Sequence, residues 1–247
     1  VLPHGMPCAL LDRGHAGMRL DDFVRHPLAI AAGLKRSHVL ALRLYSCSVY
    51  RTINTHLRDG CSEERRHPYP ACVGLLCEAI QLLRKARAER LTTDGGSKRN
   101  GAGSSNGVGG GEGSSVLWHG VAGMAVSAEF LVRGGTSMGV LSATPDRGVA
   151  ERYASRAGLA SAALLLKLRL PDLAKHGGAP IAFLSAFPEE EEVVYNPGTY
   201  LRPMGAPKVL VSAGVAPAGG ARPGEVMLAV RLYHVMEVVP MPVSGAA

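Results

Sequence analysis

The sequence is poor in the features that would make it easy to place. It has one Trp and four Phe in 247 residues, too few for a surface that binds nucleic acid by stacking bases. No apolar run approaches the roughly 20 residues that a membrane-spanning helix needs. The longest runs from Ala157 to Leu166 and is closed by Lys167. The first eight residues have neither a charged region nor an apolar core, so they do not read as a signal peptide. The chain starts at Val1 rather than Met, as a piece of a longer protein would. Cysteines number only five, an odd and scattered set that makes a poor disulfide framework. Free thiols suit a reducing compartment and favour a cytoplasmic setting. Cys61, His67, Cys72 and Cys77 are close in sequence, but their spacing fits no zinc pattern, and no metal is expected.

Charge is modest at 19%, while 47% of residues are apolar, enough for a buried core. The net charge of +7 is unevenly placed. Residues 1–100 carry 16 Lys and Arg against 9 Asp and Glu, and residues 101–247 carry 11 against 11. The basic residues interleave with apolar ones at helical spacing, which reads as a solvated helical face; no nucleic-acid partner is expected.

Three stretches follow one another: residues 1–92, 93–115 and 116–242. Within the first, residues 20–92 read as helical. A helix capped by Ser37 would bury Leu40, Leu44, Val49, Ile53 and Leu57 and stop at Asp59-Gly60. A second would open after Pro70, bury Val73, Leu76, Ile80 and Leu83, and end in a basic last turn of Arg84, Lys85, Arg87 and Arg90. Residues 93–115 are rich in Gly and Ser and read as a linker or loop. Gly107-Val108-Gly109 mimics a nucleotide-binding loop, but neither a strand before it nor a helix after it supports a Rossmann site. Residues 116–242 read mostly as strands, with Asp146 capping a short helix and Val226 to Val239 forming a long edge or hairpin. Helices followed by strands indicate an α+β fold.

Chemistry concentrates in the third stretch. Four glutamates, Glu189 to Glu192, directly precede a β-branched run. On a strand, Glu190 and Glu192 would share a face and repel, so that at least one pKa rises. Carboxylate pairs stabilise an oxocarbenium-like sugar carbon. By themselves four glutamates read first as a solvated acidic loop.

The surroundings favour chemistry. Leu117-Trp118-His119-Gly120 comes first, then Gly134-Gly135-Thr136 and Leu141-Ser142-Ala143-Thr144-Pro145-Asp146, then Phe187-Pro188 and the glutamates, ending in Asn196-Pro197-Gly198-Thr199. Upstream lie Asp21 to Pro27, Ser37 to Tyr45, Tyr50 to Asn54 and Leu57-Arg58, and Phe183 to Pro188 leads into the acidic run. In this order the segments, spanning about residues 20–205, resemble the arginine-type mono-ADP-ribosyltransferases, with their Arg on a first strand, Ser-Thr-Ser-like strand and Glu-x-Glu turn.

The resemblance implies an N-terminal helical region, then a catalytic core of two packed, mainly antiparallel sheets. It implies transfer of ADP-ribose from NAD⁺, the substrate, to a protein acceptor, with release of nicotinamide. Glu192 matches the catalytic glutamate that binds the ribose hydroxyl and stabilises the cation. Glu190 matches the glutamate that orients and deprotonates an acceptor arginine. Ser142 would hold the ribose and Glu192, and Thr144 matches the third residue of that motif, while Ala143 departs from the usual Thr. Gly134, Gly135 and Thr136 would shape the pocket. His119, followed by Gly120, stands where the family's Arg binds NAD⁺. Histidine lacks the guanidinium fork, but would attract phosphate once protonated near pH 6. A related branch, of diphtheria-toxin and poly-ADP-ribose polymerase type, uses His on this strand, paired with Tyr instead of Ser. The alternative is therefore a catalytically degenerate NAD-binding or interaction module on the same fold. Oligomeric state and acceptor protein are left open.

Overall fold

The computed structural model describes residues 14–15, 17–60, 66–97, 115–156, 162–215 and 228–242. The helices are α1 Leu20–Val24, α2 Pro27–Ala31, α3 Arg36–Leu44, α4 Tyr50–Asp59, α5 Pro70–Ser97, α6 Ala128–Arg133, α7 Arg147–Ala154 and α8 Leu173–His176. The strands are β1 Ser115–Ala122, β2 Gly135–Ser137, β3 Leu141–Ala143, β4 Ala163–Leu170, β5 Ala179–Pro180, β6 Val193–Tyr195, β7 Thr199–Pro203, β8 Lys208–Val215 and β9 Leu228–Met241. One sheet runs β1-β4-β9-β7-β2, with β8 paired to β9; a second runs β3-β6-β5. Every pairing is antiparallel except β4 with β9, so the α+β expectation of two mainly antiparallel sheets holds. Among the described residues, no helix is long and apolar enough to cross a membrane.

The helical part follows the pattern with corrections. Pro70 opens α5 at a position where a missing N–H leaves no helix bond unmade. Leu76, Ile80 and Leu83 are buried, and Val73 packs partly against them. The expected basic last turn is not a terminus: α5 continues through Ser97, past the expected end at 92 and into the start of the expected linker. Arg84 and Arg87 instead reach across to the carbonyls of Gly177 and Gly178, both at 3.0 Å. Residues 98–114, the bulk of that linker, lie outside the described residues.

The helix expected from Ser37 is two helices. It is capped at Lys35, and a widened π-type turn over Tyr45–Val49, with Cys47 off helical geometry, separates α3 from α4. The turn rotates the buried stripe. Leu40 and Leu44 are exposed, while His38, Val39, Leu42 and Tyr45 enter the core. Ile53 is buried as expected.

In the sheets, β9 forms a hairpin with β8 but is not an edge, because it lies between β4 and β7. Gly135 and Thr136, expected to shape the pocket, form the short β2 together with Ser137. The sheets meet where the backbones of Trp118 and Thr144 exchange hydrogen bonds at 2.7 and 2.9 Å. That link fixes the strand carrying His119 against the strand carrying Ser142.

Candidate active site

Between the helical part and the two sheets lies a cleft of about 700 Å³, within the range of small-molecule sites. His119, Gly120, Ser142, Thr144, Glu190 and Glu192 all line it, as do Gly135 and Thr136.

The two glutamates reach the cleft by a route that strand alternation does not describe. Pro188–Glu190 is a tight 3-10 turn, and Glu191 adopts a left-handed conformation at φ 46. The strand starts only at Val193. A non-glycine residue in this region is strained, a feature that clusters at functional sites. The turn leaves Glu189 and Glu191 exposed and directs Glu190 and Glu192 to the cleft. Two residues therefore share a face through a turn, since proline and a run of acids disfavour sheet pairing.

Glu192 sits at the base. Ser142 Oγ donates to its Oε1 at 2.5 Å, the length of a charge-assisted bond. The Ser185 hydroxyl also bonds it. Although it keeps partial access to the cleft, Glu192 is packed deeply enough that burial raises its pKa to about 7, with Glu190 adding to the rise and the two serine bonds opposing it. Glu190 lies nearer the mouth. Burial also raises its pKa, while a hydrogen bond from Tyr153 opposes the rise. The Tyr153 hydroxyl lies 3.3 and 3.0 Å from the two carboxylate oxygens.

His119 does not play the part of a cation. Its Nδ1 lies 2.5 Å from the carbonyl of Ser142. A carbonyl only accepts, so Nδ1 carries the proton. Burial lowers the ring's pKa to about 4, outweighing that bond, and Arg58 adds to the lowering. The ring is neutral at pH 6, so the protonated histidine anticipated there is not formed, and Nε2 is left as an acceptor. Gly120 is required for packing: a Cβ there would stand 1.9 Å from the carbonyl of Ala150, so only glycine lets α7 approach β1. The Thr144 hydroxyl donates to the carbonyl of Glu190 at 2.7 Å and accepts from the amide of Asp146 at 3.0 Å, bracing the acidic turn.

Several contributors were not picked out as site residues. Tyr50, Asn54 and Arg58 recur every fourth residue on α4 and all line the cleft. The Asn54 side chain accepts from the amide of Val140 at 2.9 Å and donates to its carbonyl at 3.2 Å, setting the strand that presents Ser142. Arg58 is the one Lys or Arg side chain among the described residues lining the cleft. The sequence signal was the spacing of four, hidden because the stripe was read for apolar residues only. Ser46 accepts from the amide of Ala186 at 3.0 Å, and Arg43 donates to the carbonyl of Leu184 at 2.8 Å, so α3 and its π-turn hold the approach to the glutamates. No group of metal-ligating side chains stands out among the described residues.

No protein-family model and no curated protein matches the sequence. Solved structures do match by shape. The ADP-ribosyltransferase Vis, solved with an inhibitor, superposes with a TM-score of 0.50 at 15% identity, covering 89% of this chain and 81% of that one. A mutant of the eucaryotic mono-ADP-ribosyltransferase ART2.2, in complex with NADH, gives 0.49 at 14%, covering 92% and 85%. Exoenzyme S from Pseudomonas aeruginosa, bound to carba-NAD and a human 14-3-3 protein, gives 0.43 at 17%, covering 88% and 86%. The likeness to Vis is one of fold: the chain has the architecture of an ADP-ribosyltransferase.

Proposed function

We propose that the chain transfers ADP-ribose from NAD⁺ to an arginine side chain of a protein acceptor and releases nicotinamide. The observation that carries the proposal is the short Ser142–Glu192 bond at the base of a cleft whose mouth holds Glu190. As nicotinamide departs, the ribose carbon becomes cationic, and the Glu192 carboxylate stabilises that charge in a partly desolvated site. Ser142 and Ser185 hold the carboxylate. Glu190 takes the proton that an arginine must lose to become a nucleophile. Arg58 supplies the positive charge for the pyrophosphate, and His119 accepts a hydrogen bond from a sugar hydroxyl through Nε2. Recognition of the phosphates thus moves from the first strand to the helical wall.

A second reading has its own support. Nδ1 of His119 is committed to a backbone carbonyl and the ring is neutral, which suits a module that binds NAD⁺ without transferring it. Labelled NAD⁺ and an arginine-rich acceptor separate the two, with Glu192→Ala as control. Label on the acceptor that Glu192→Ala abolishes supports the transferase. NAD⁺ binding by calorimetry with no nicotinamide release supports the module. Absence of both binding and release refutes each reading. Arg58→Ala is expected to weaken NAD⁺ binding about tenfold, the loss of one charge-assisted contact.

A further inference from the structure

The mouth of the cleft is built differently from its base. Glu190 is held by a residue from another element: Tyr153 of α7, whose hydroxyl lies within hydrogen-bond reach of both carboxylate oxygens. Tyr153 is itself held. The Arg156 guanidinium lies 3.8 Å from the centre of its ring, a cation–π contact. The same guanidinium donates to the Tyr50 hydroxyl at 3.1 Å, on α4 of the helical wall. Tyr50, Tyr153 and Glu190 all line the cleft. One chain of contacts therefore runs from the helical wall through Arg156 and Tyr153 to the acidic turn.

We propose that Tyr153, clamped by Arg156, is a positioning residue that holds the Glu190 carboxylate and so sets the partition between transfer to an arginine and hydrolysis by water. The inference rests on the transferase reading given above. In transfer, an arginine nitrogen bonds to the ribose carbon as the bond to nicotinamide breaks. The electron pair leaves with nicotinamide, which becomes neutral, and the arginine's proton passes to Glu190. In hydrolysis, the water oxygen makes the same bond and its proton goes to solvent. Only the first path needs Glu190 at a fixed place, and only the first depends on its being ionised before the step.

The charged and titratable groups facing Glu190 are Arg152 and Tyr153 from α7 and Arg156 just past its end, with Glu189 and Glu192 from its own turn. The Tyr153 bond favours the ionised form, so removing it should move the Glu190 midpoint upward. Tyr153→Phe keeps the ring and removes only that bond. The ratio of arginine transfer to NAD⁺ hydrolysis is expected to fall about tenfold, the weight of one hydrogen bond to a charged group. The pH profile of transfer should shift to higher pH, while that of hydrolysis should not. Arg156→Met should lower the ratio in the same direction by a smaller factor, and Arg156→Lys should recover part of it by keeping a cation over the ring.

An unchanged ratio and an unchanged transfer profile in Tyr153→Phe would overturn the proposal. So would a wild type that hydrolyses NAD⁺ but transfers nothing to arginine. If wild type releases no nicotinamide at all, the transferase reading fails separately. A carbon-13 NMR titration of Glu190 then still decides the clamp: a midpoint that rises in Tyr153→Phe supports it, and an unmoved midpoint refutes it.

Discussion

Glu190 and Glu192 stand two residues apart, yet the fold gives them opposite surroundings. Glu192 receives two serine hydroxyls at the base of the cleft, from β3 and from the segment before the acidic turn. Glu190 receives one tyrosine hydroxyl from a helix, near the mouth. Both are raised by burial, and Glu192 is carried to about 7. The left-handed residue between them makes the difference, since it turns the chain so that adjacent acids meet different elements. One acid site becomes two, a deep one suited to stabilising positive charge and a shallow one suited to accepting a proton.

Substitution should separate these roles. Glu192→Gln keeps the shape and removes the charge. Nicotinamide release is expected to fall about a thousandfold, the scale of losing a preorganised electrostatic contact. A loss below about tenfold, in a release assay at saturating NAD⁺, would show that Glu192 is not the stabilising group. Glu190→Ala should reduce transfer to arginine about a hundredfold or more, the contribution of a general base, and leave part of the NAD⁺ hydrolysis. If both activities fell together, Glu190 would share the work of Glu192 and the distinction would collapse.

The same contrast separates what the sequence disclosed from what it hid. Glu190, Glu192, Ser142 and His119 could be named because an ordered set of short segments points to them, and all four line one cleft. The route by which the glutamates get there was not legible. Period-two alternation predicts a strand, but Pro188 and the left-handed Glu191 make a turn that no periodicity reports. Tyr153, Ser185 and Asn54 were hidden for another reason: their partners are 37, 7 and 86 residues away, and hydrogen bonds across such separations leave no local pattern. The helical half was legible in α5, where Leu76, Ile80 and Leu83 repeat cleanly. It was misread in α3, where the π-turn shifts the register and leaves Leu40 and Leu44 outside. The state of His119 could not be read either, since burial and a backbone carbonyl from β3 decide it.

The raised pKa of Glu192 sharpens the comparison through pH. Stabilising a cation requires the carboxylate, so nicotinamide release should climb as pH rises through about 7 and level off above. At pH 6 it should be roughly tenfold below the plateau. Ser142→Ala removes a bond that favours ionisation, so its profile should move to higher pH and its plateau should fall about tenfold. Stability has the opposite sign. The folded state holds the Glu192 proton more tightly than the unfolded chain, so the stabilisation is fully present below the ordinary carboxylate range and is lost as pH rises through about 7. Glu192→Gln should then melt a few degrees above wild type at pH 8, and about level with it at pH 4. A variant that melts below wild type at pH 8 would mean that the Ser142 and Ser185 bonds outweigh the burial of the charge.

The smallest expected effect belongs to His119, which borders the base from the first strand. A histidine in solution would charge between pH 8 and pH 6 and tighten its grip on a phosphate. Here burial holds the ring's pKa at about 4, and its one proton points at the Ser142 carbonyl. The change in NAD⁺ affinity between pH 8 and pH 6 should therefore owe nothing to this residue. Calorimetric titration of wild type and His119→Gln at both pH values should give the same ratio of affinities within about twofold, whatever the glutamates contribute, since they titrate in both proteins. If wild type tightens at pH 6 and His119→Gln does not, the ring ionises in place. Its Nε2 would then donate to the ligand, and the first strand would regain the cationic part proposed for Arg58 of α4.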